Sequence, residues 1–199
     1  PRSGKVITEK LYGQIKLPVK LLVPGQHNQR NAQAAIAVAK TVGISERLAR
    51  RALASFRGTW RRFEYKGKTK KGALIYDDYA HHPTEIKATL VATREKFPHR
   101  RIIVIFQPHL YSRTKLLFKE FTESFGEADE ILVLPIYAAR EPKDKTISSR
   151  ILATAIPRAI YMPNLSAVEK HLAKTNRHDL ILNLGAGDVS LNHAFLNLR

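Results

Sequence analysis

From residue 73 onward the chain alternates short, uninterrupted apolar runs with longer stretches whose apolar residues recur at helical spacing, and this alternation leaves few folds open. The apolar runs are ALIYD (73–77), RIIVIF (101–106), EILVL (130–134), RAIYM (158–162) and DLILNL (179–184). Strands that are apolar at successive positions, rather than at every second one, belong to a sheet covered on both faces. The intervening stretches predict helices over 84–97, 113–125, 148–156 and 166–175. In the second of these, Leu117, Phe118, Phe121 and Phe125 make one buried stripe. The expectation is an α/β domain with a doubly wound, Rossmann-like parallel sheet.

Upstream the pattern differs. YGQIKLPVKLLVPG (11–24) alternates loosely and predicts one or two strands ending at the Pro24-Gly25 turn. A helix should follow with Asn28 as its N-cap and an Ala-rich body, stopped by Gly43. A second helix over 45–55 opens at Ser45 and carries Leu48, Leu53 and Phe56 inward, with Ala52 on the same face. The change of pattern places a boundary near 57–60, giving one unit at 1–57 and the Rossmann-like domain at 58–199. A first residue of Pro1 rather than Met is what a piece of a longer protein would show.

Charge narrows the partners. Thirty-four Lys and Arg stand against 17 Asp and Glu, a net charge of +17, which draws anions such as nucleic acid or phosphorylated small molecules. The basic residues are dispersed, as in RLARR at 47–51 and HRR at 99–101, and no aromatic-rich RNA-binding signature accompanies them, which disfavours nucleic acid. No apolar run approaches the length of a membrane helix, so no membrane partner is expected. The chain has no cysteine, which excludes a disulfide framework and fits a cytoplasmic location. Oligomeric state leaves no mark in the pattern.

In a sheet of this class ligands bind beyond the carboxyl ends of the strands. The polar clusters fall there: DDYAHHPTE (77–85), QPHLYSRT (107–114), PIYAAREP (135–142) and GAGD (185–188). Asp77 and Asp78 are read as functional against the plainer role of helix capping, for which Pro83 in a first helical turn is the signal. His81 and His82 lack a third ligand at metal spacing, so packing or substrate contact is expected of them and a zinc site is not. His109 and Arg113 flank a helix start, where an arginine and unpaired amides hold a carboxylate or phosphate. In the first unit GQHNQRN offers His27, Asn28 and Asn31 at one helix start, and RRFE (61–64) offers two arginines suited to phosphate oxygens.

Taken together, GQHNQRNAQAAIAVA, RRFE, DDYAHHPTEI, IFQPHLYSRT, IYAAREP and NLGAGDV resemble the Mur ligase family in order and spacing, and within it the L-alanine-adding branch. The resemblance runs from about residue 12 to about residue 190. DDYAHHPTE and QPHLYSRT also set the chain apart from the related ligase that attaches whole peptides to the same sugar. The resemblance implies the end of a central ATP-binding domain followed by a C-terminal domain that binds the incoming amino acid. The implied partners are ATP, Mg2+, UDP-N-acetylmuramate and L-alanine. The pattern G-x-x-G-K-[ST] is missing, so most magnesium ligands and the phosphate loop are expected upstream and the piece alone is expected to be inactive.

By the same resemblance His27, Asn28 and Asn31 contact adenine, Arg62 contacts the ATP phosphates, and Asp77 or Asp78 lies near the nucleotide. Arg62, Asp77 and Asp78 are thus the catalytic candidates, while His81, His109, Arg113, Tyr137 and Glu141 are the substrate-binding ones. Leu110 stands where some relatives carry Arg, so one anion contact of the family is not supplied. A ligase for glycine or L-serine, or a basic nucleic-acid-binding α/β module, are the alternative readings.

Overall fold

The computed structural model of the chain describes residues 13–187. It divides into two compact units that part between Gly58 and Thr59.

The first unit, where it is described, carries two helices after an irregular segment. Helices α1 (Gln26–Thr41) and α2 (Glu46–Ser55) pack around Ile15, Val19, Ala32, Ile36 and Ala49. The strands expected over 11–24 do not form in the described part, since 13–24 run as turns and irregular backbone. Side chains of α1 take the backbone groups that a neighbouring strand would have taken. Gln29 accepts from the Val19 amide at 2.7 Å and donates to the Val19 carbonyl at 2.9 Å, while Gln33 donates to the Ile15 carbonyl at 2.8 Å. Pro18 and Pro24 bring no amide to a ladder. The loose alternation therefore marked burial of Ile15 and Val19, not a strand.

Asn28 is not the N-cap either. Gly25, at φ 99°, precedes the first helical residue, and Asn28 sits in the first turn with its side-chain amide donating to the Pro24 carbonyl at 2.6 Å. Ser45 caps α2 as expected, accepting from the Leu48 amide at 3.3 Å. Leu53 packs on the core, but Leu48 and Phe56 are 48% and 43% exposed, so the inward face expected of α2 narrows to Ala49 and Leu53. Leu48 and Ala52 instead line a shallow apolar groove with Ala35 and Ala39.

The second unit is a six-stranded sheet: β1 (Glu64–Lys68), β2 (Leu74–Asp78), β3 (Arg101–Phe106), β4 (Glu130–Val133), β5 (Ala159–Tyr161) and β6 (Asp179–Leu184), in the order β1-β2-β6-β3-β4-β5. All neighbours pair in parallel except β1, which runs antiparallel to β2 at the edge. The doubly wound reading stands, with one antiparallel strand that the sequence pattern did not reveal. β1 is EYKGK, paired on one side only, and too polar and too exposed to show an apolar run.

Successive strand residues divide between two cores. Ile102, Val104, Phe106, Ile131, Val133, Leu180 and Leu182 join one, and Ile103, Ile105, Leu132 and Ile181 the other. The first is covered by α3 (Pro83–Lys96) through Ile86 and Leu90, and by α6 (Ser149–Ala155) through Leu152. The second is covered by α7 (Leu165–Leu172) through Val168 and Leu172. Ser148 and Asn164 cap α6 and α7, accepting from the amides of Ile151 and Ala167.

The helix expected over 113–125 is two short ones, α4 (Tyr111–Leu116) and α5 (Phe118–Thr122), bent apart at Leu117. Ser124 sends both its amide and its hydroxyl to the Phe121 carbonyl, which ends helical pairing before Phe125. Phe121 and Phe125 then close on Phe106, with ring centroids 5.6 and 5.3 Å from it, while Leu117 and Phe118 are only partly buried.

The topology fixes where a ligand would lie. The chain moves outward from β3 through β4 to β5 and returns to insert β6 between β2 and β3. Asp78, Leu184 and Phe106 end three adjacent strands in one register, so the loops that follow them open side by side at the reversal of strand order.

Candidate functional site

Three loops at this carboxyl edge carry a connected row of aromatic and charged side chains. Tyr79 and His81 follow β2, with their rings edge to face at 5.2 Å. The His81 Nδ1 lies 2.8 Å from the Tyr79 carbonyl and 3.4 Å from the Glu85 carboxylate. His81 meets His109, from the loop after β3, at a centroid distance of 5.9 Å. His109 in turn stacks on Tyr137 from the loop after β4, at 5.6 Å and 23°. Backbone pairing holds the last two loops together, with Leu110 donating to the Tyr137 carbonyl at 2.9 Å and Tyr137 to the Pro108 carbonyl at 2.8 Å.

Arg113 stands one turn beyond His109, its guanidinium 3.3 Å from the His109 Nδ1. Burial holds the His109 pKa below the ordinary imidazole value, and the nearby Arg113 and His81 push it the same way against the pull of Glu141. The shift favours the neutral ring, whose Nδ1 faces the Arg113 donor. Glu141 uses its carboxylate on Ser112, accepting from the amide at 3.0 Å and also from the hydroxyl. These bonds hold its pKa below the usual carboxylate range. The anion at the start of α4 is thus the chain's own Glu141, which takes the amide expected to meet a ligand. Arg113 remains the cationic group facing His109.

The two aspartates at the end of β2 bind the chain itself. Asp78 accepts from the amides of Phe63 and Ala80, each at 2.8 Å, and burial raises its pKa despite those bonds. Asp77, 1% exposed, pairs with Arg61, whose Nε lies 3.2 Å away. Neither caps α3. That role falls to His82, whose ring accepts from the Thr84 amide at 3.3 Å, with Glu85 completing a capping box and Pro83 in the first turn.

Arg61 and Arg62 part company. Arg62 is exposed, its guanidinium 5.8 Å from the Tyr79 ring centroid, and its charge reaches Asp78 and Glu85. Arg61 is buried beneath and does not present itself to phosphate oxygens. In the first unit, His27 and Asn31 are exposed four residues apart on one face of α1, while Asn28 is turned to Pro24.

The family model for the Mur ligase, glutamate ligase domain, matches residues 61–187, a span that begins at Arg61 and includes every loop of this row. The chain belongs to the Mur ligase family. It is similar to the UDP-N-acetylmuramate–L-alanine ligase of Clostridium acetobutylicum, 48% identical over 86% of this chain and 38% of that protein. It is also similar to the crystal structure of a UDP-N-acetylmuramate-alanine ligase from Thermotoga maritima, at 30% identity and a TM-score of 0.75, covering 91% of this chain and 39% of the other. A murein peptide ligase from Psychrobacter arcticus matches with a TM-score of 0.60 at 29% identity, over 86% of this chain and 36% of the other. The chain spans about two fifths of the length of the curated relatives it matches.

Of the candidate residues in this Mur ligase chain, His81, His109, Arg113, Tyr137 and Glu141 gather in one neighbourhood, with Arg62 joined to them through Tyr79. Asp188 of the GAGD cluster lies outside the described residues. Sequence reasoning passed over Tyr79, which links Arg62 to His81, and it read Arg61 as a phosphate contact although the side chain is buried. A signal for Arg61 was present: burial alternates from Arg61 in, to Arg62 out, to Phe63 in, and the apolar Phe63 marks the inward parity.

Proposed function

We propose that this chain comprises the end of a central ATP-binding domain and the amino-acid-binding domain of an ATP-dependent ligase that joins L-alanine to UDP-N-acetylmuramate in peptidoglycan precursor synthesis. The observation that carries this reading is the Arg113, His109 and Tyr137 cluster at the carboxyl edge: a cation for a substrate carboxylate, beside an imidazole kept neutral. Family membership and the relatives named above support the reaction class. In such a reaction the lactyl carboxylate is activated as an acyl phosphate and then attacked by the amine of L-alanine. The attacking amine releases its proton to solvent, while burial and Arg113 disfavour a second cation at His109. Arg113 orients the carboxylate so that the amine, not the carboxylate, reaches the acyl carbon. Arg62, exposed above Tyr79, meets charge developing on the transferred phosphoryl group.

On this reading His27 and Asn31 contact adenine, and the enzyme works in the cytoplasm, where ATP and the UDP-sugar are made. Among the described residues no group of three or more His, Asp or Glu side chains is arranged to hold a metal ion. No helix among them is long and apolar enough to cross a membrane.

The test is ATP-dependent transfer of radiolabelled L-alanine to UDP-N-acetylmuramate by the full-length protein, with glycine and L-serine as competing amines. Label transfer with the highest kcat/KM for L-alanine is the expected result, and preference for glycine or L-serine would move the enzyme to another branch. No transfer, together with salt-dependent retardation of random DNA, would replace the ligase reading with the nucleic-acid one. The 199-residue chain alone should turn over neither ATP nor amine.

A further inference from the structure

Arg61 makes three side-chain bonds at the carboxyl edge with its guanidinium away from solvent. It is 4% exposed, with Nε 3.2 Å from Asp77 Oδ2, Nη1 3.3 Å from the Gly187 carbonyl, and Nη2 on the Gly185 carbonyl. Its own backbone is held as well: the amide donates to Glu64 at 3.0 Å and the carbonyl accepts from Tyr79 at 2.8 Å. The guanidinium lies 4.9 Å from the centroid of the Tyr79 ring.

The two carbonyls it holds belong to the loop after β6, which packs closely on Gln107 and Tyr137. A Cβ added at Gly187 would collide with Gln107 Oε1 and come to 3.0 Å from Tyr137 Cγ. The Gly185–Gly187 backbone thus bonds to Arg61 and packs against Tyr137. Tyr137 stacks on His109, and His109 faces Arg113. A contiguous route runs from Asp77 through Arg61 and the glycine loop to the wall on which an amino-acid substrate would rest.

A buried ion pair contributes little net stability, since desolvation offsets most of the attraction, but three bonds from one guanidinium constrain the groups they join. The planar guanidinium meets a carboxylate and two carbonyls in different directions, which a lysine ammonium on a flexible stem does not reproduce. We infer that Arg61 is a positioning residue that sets the amino-acid-binding wall through the Gly185–Gly187 loop and Tyr137. The inference rests on the ligase reading for its substrate and not for its geometry.

Two variants and two readouts test it. In the full-length enzyme, Arg61→Lys and Gly187→Ala should each raise the KM for L-alanine roughly tenfold, with the KM for ATP within about twofold of wild type, because a shift of the wall misplaces only the amine substrate. Their double variant should be little worse than either alone, since both act through one loop. Unchanged KM for L-alanine in Gly187→Ala, or equal losses for ATP and L-alanine in Arg61→Lys, would overturn the inference. In the 199-residue chain, Arg61→Lys should displace the NMR ring signals of His109 and Tyr137 while leaving His171, beside Glu130 at the opposite edge of the sheet, in place. Undisturbed His109 and Tyr137 signals would overturn the positioning role whatever amine the enzyme uses. A wild-type enzyme inactive on L-alanine whose variants nevertheless show that displacement would keep the positioning role and discard the proposed substrate.

Discussion

Tyr137 lies nearly parallel to His109, 23° between the ring planes and 5.6 Å between centroids, and so joins the loop after β4 to the loop after β3. Tyr137 is 38% exposed, so its ring contributes to the site more than to the core. A ring pair of this kind is worth about 0.5–1.5 kcal/mol of folding stability beyond burial, and it fixes where the His109 ring stands. Tyr137→Ala in the full-length enzyme should raise the KM for L-alanine several-fold and lower the melting temperature by a few degrees. Initial rates against L-alanine concentration measure it, and an unaltered KM would remove Tyr137 from the site.

The pH behaviour of His109 follows from its surroundings. Burial first, then the charges of Arg113 and His81, lower its pKa below the unfolded value. A depressed folded pKa contributes stability above the unfolded pKa and loses it as pH falls through the folded one. Arg113→Gln removes one of the lowering charges, so the His109 pKa should rise toward the ordinary value of about 6.5. An NMR titration of the 199-residue chain reads both states directly. A His109 that titrates at the same pH in both proteins would show that Arg113 does not act on it.

Asp78 is predicted to be a stability residue. Its two oxygens each accept a backbone amide at 2.8 Å, from Phe63 and Ala80, within a nearly closed environment. Asp78→Asn keeps one acceptor and sets an amide against the other donor, at a cost of about 1–3 kcal/mol. Urea unfolding of the 199-residue chain should show that loss. The Asp78 pKa is raised by burial, so its contribution runs opposite to that of His109: it is complete below the unfolded pKa and declines as pH rises through the folded one.

Arg62 should act on the rate. It is exposed beside Tyr79, and losing one transition-state charge contact costs about a hundredfold or more in kcat. Arg62→Ala in the full-length enzyme should show that loss while a nonhydrolysable ATP analogue binds nearly as tightly as to wild type. A variant whose whole defect lies in analogue affinity would make Arg62 a ground-state contact only.

The fold was legible wherever burial was two-sided. β3 and β6 appear at the expected residues because an interior parallel strand, covered on both faces, reads as a nearly continuous apolar run. β1 was hidden because an edge strand buries half of itself, and 11–24 misled because Ile15 and Val19 bury without a ladder, their backbone answered by Gln29 and Gln33 from α1. At the site, strand ends predicted the neighbourhood of His81, His109, Arg113 and Tyr137 correctly, since the parallel sheet brings those loops together whatever their sequence separation. Partnership within that neighbourhood was not legible. Nothing in the string Asp77-Asp78 says that one carboxylate meets Arg61 and the other the Phe63 amide, because both partners approach from a turn in which Arg61 and Phe63 take positive φ.

The central claim is that the carboxyl-edge cluster binds the carboxylate of the incoming amino acid through Arg113. The measurement that bears on it most directly is a pair of Michaelis constants for Arg113→Ala in the full-length enzyme, one for L-alanine and one for ATP. Losing a charge-assisted bond worth about 1.5–3 kcal/mol should raise the KM for L-alanine roughly tenfold or more and leave that for ATP nearly unchanged. A rise in the KM for ATP with no change for L-alanine would contradict the claim and assign Arg113 to the phosphates.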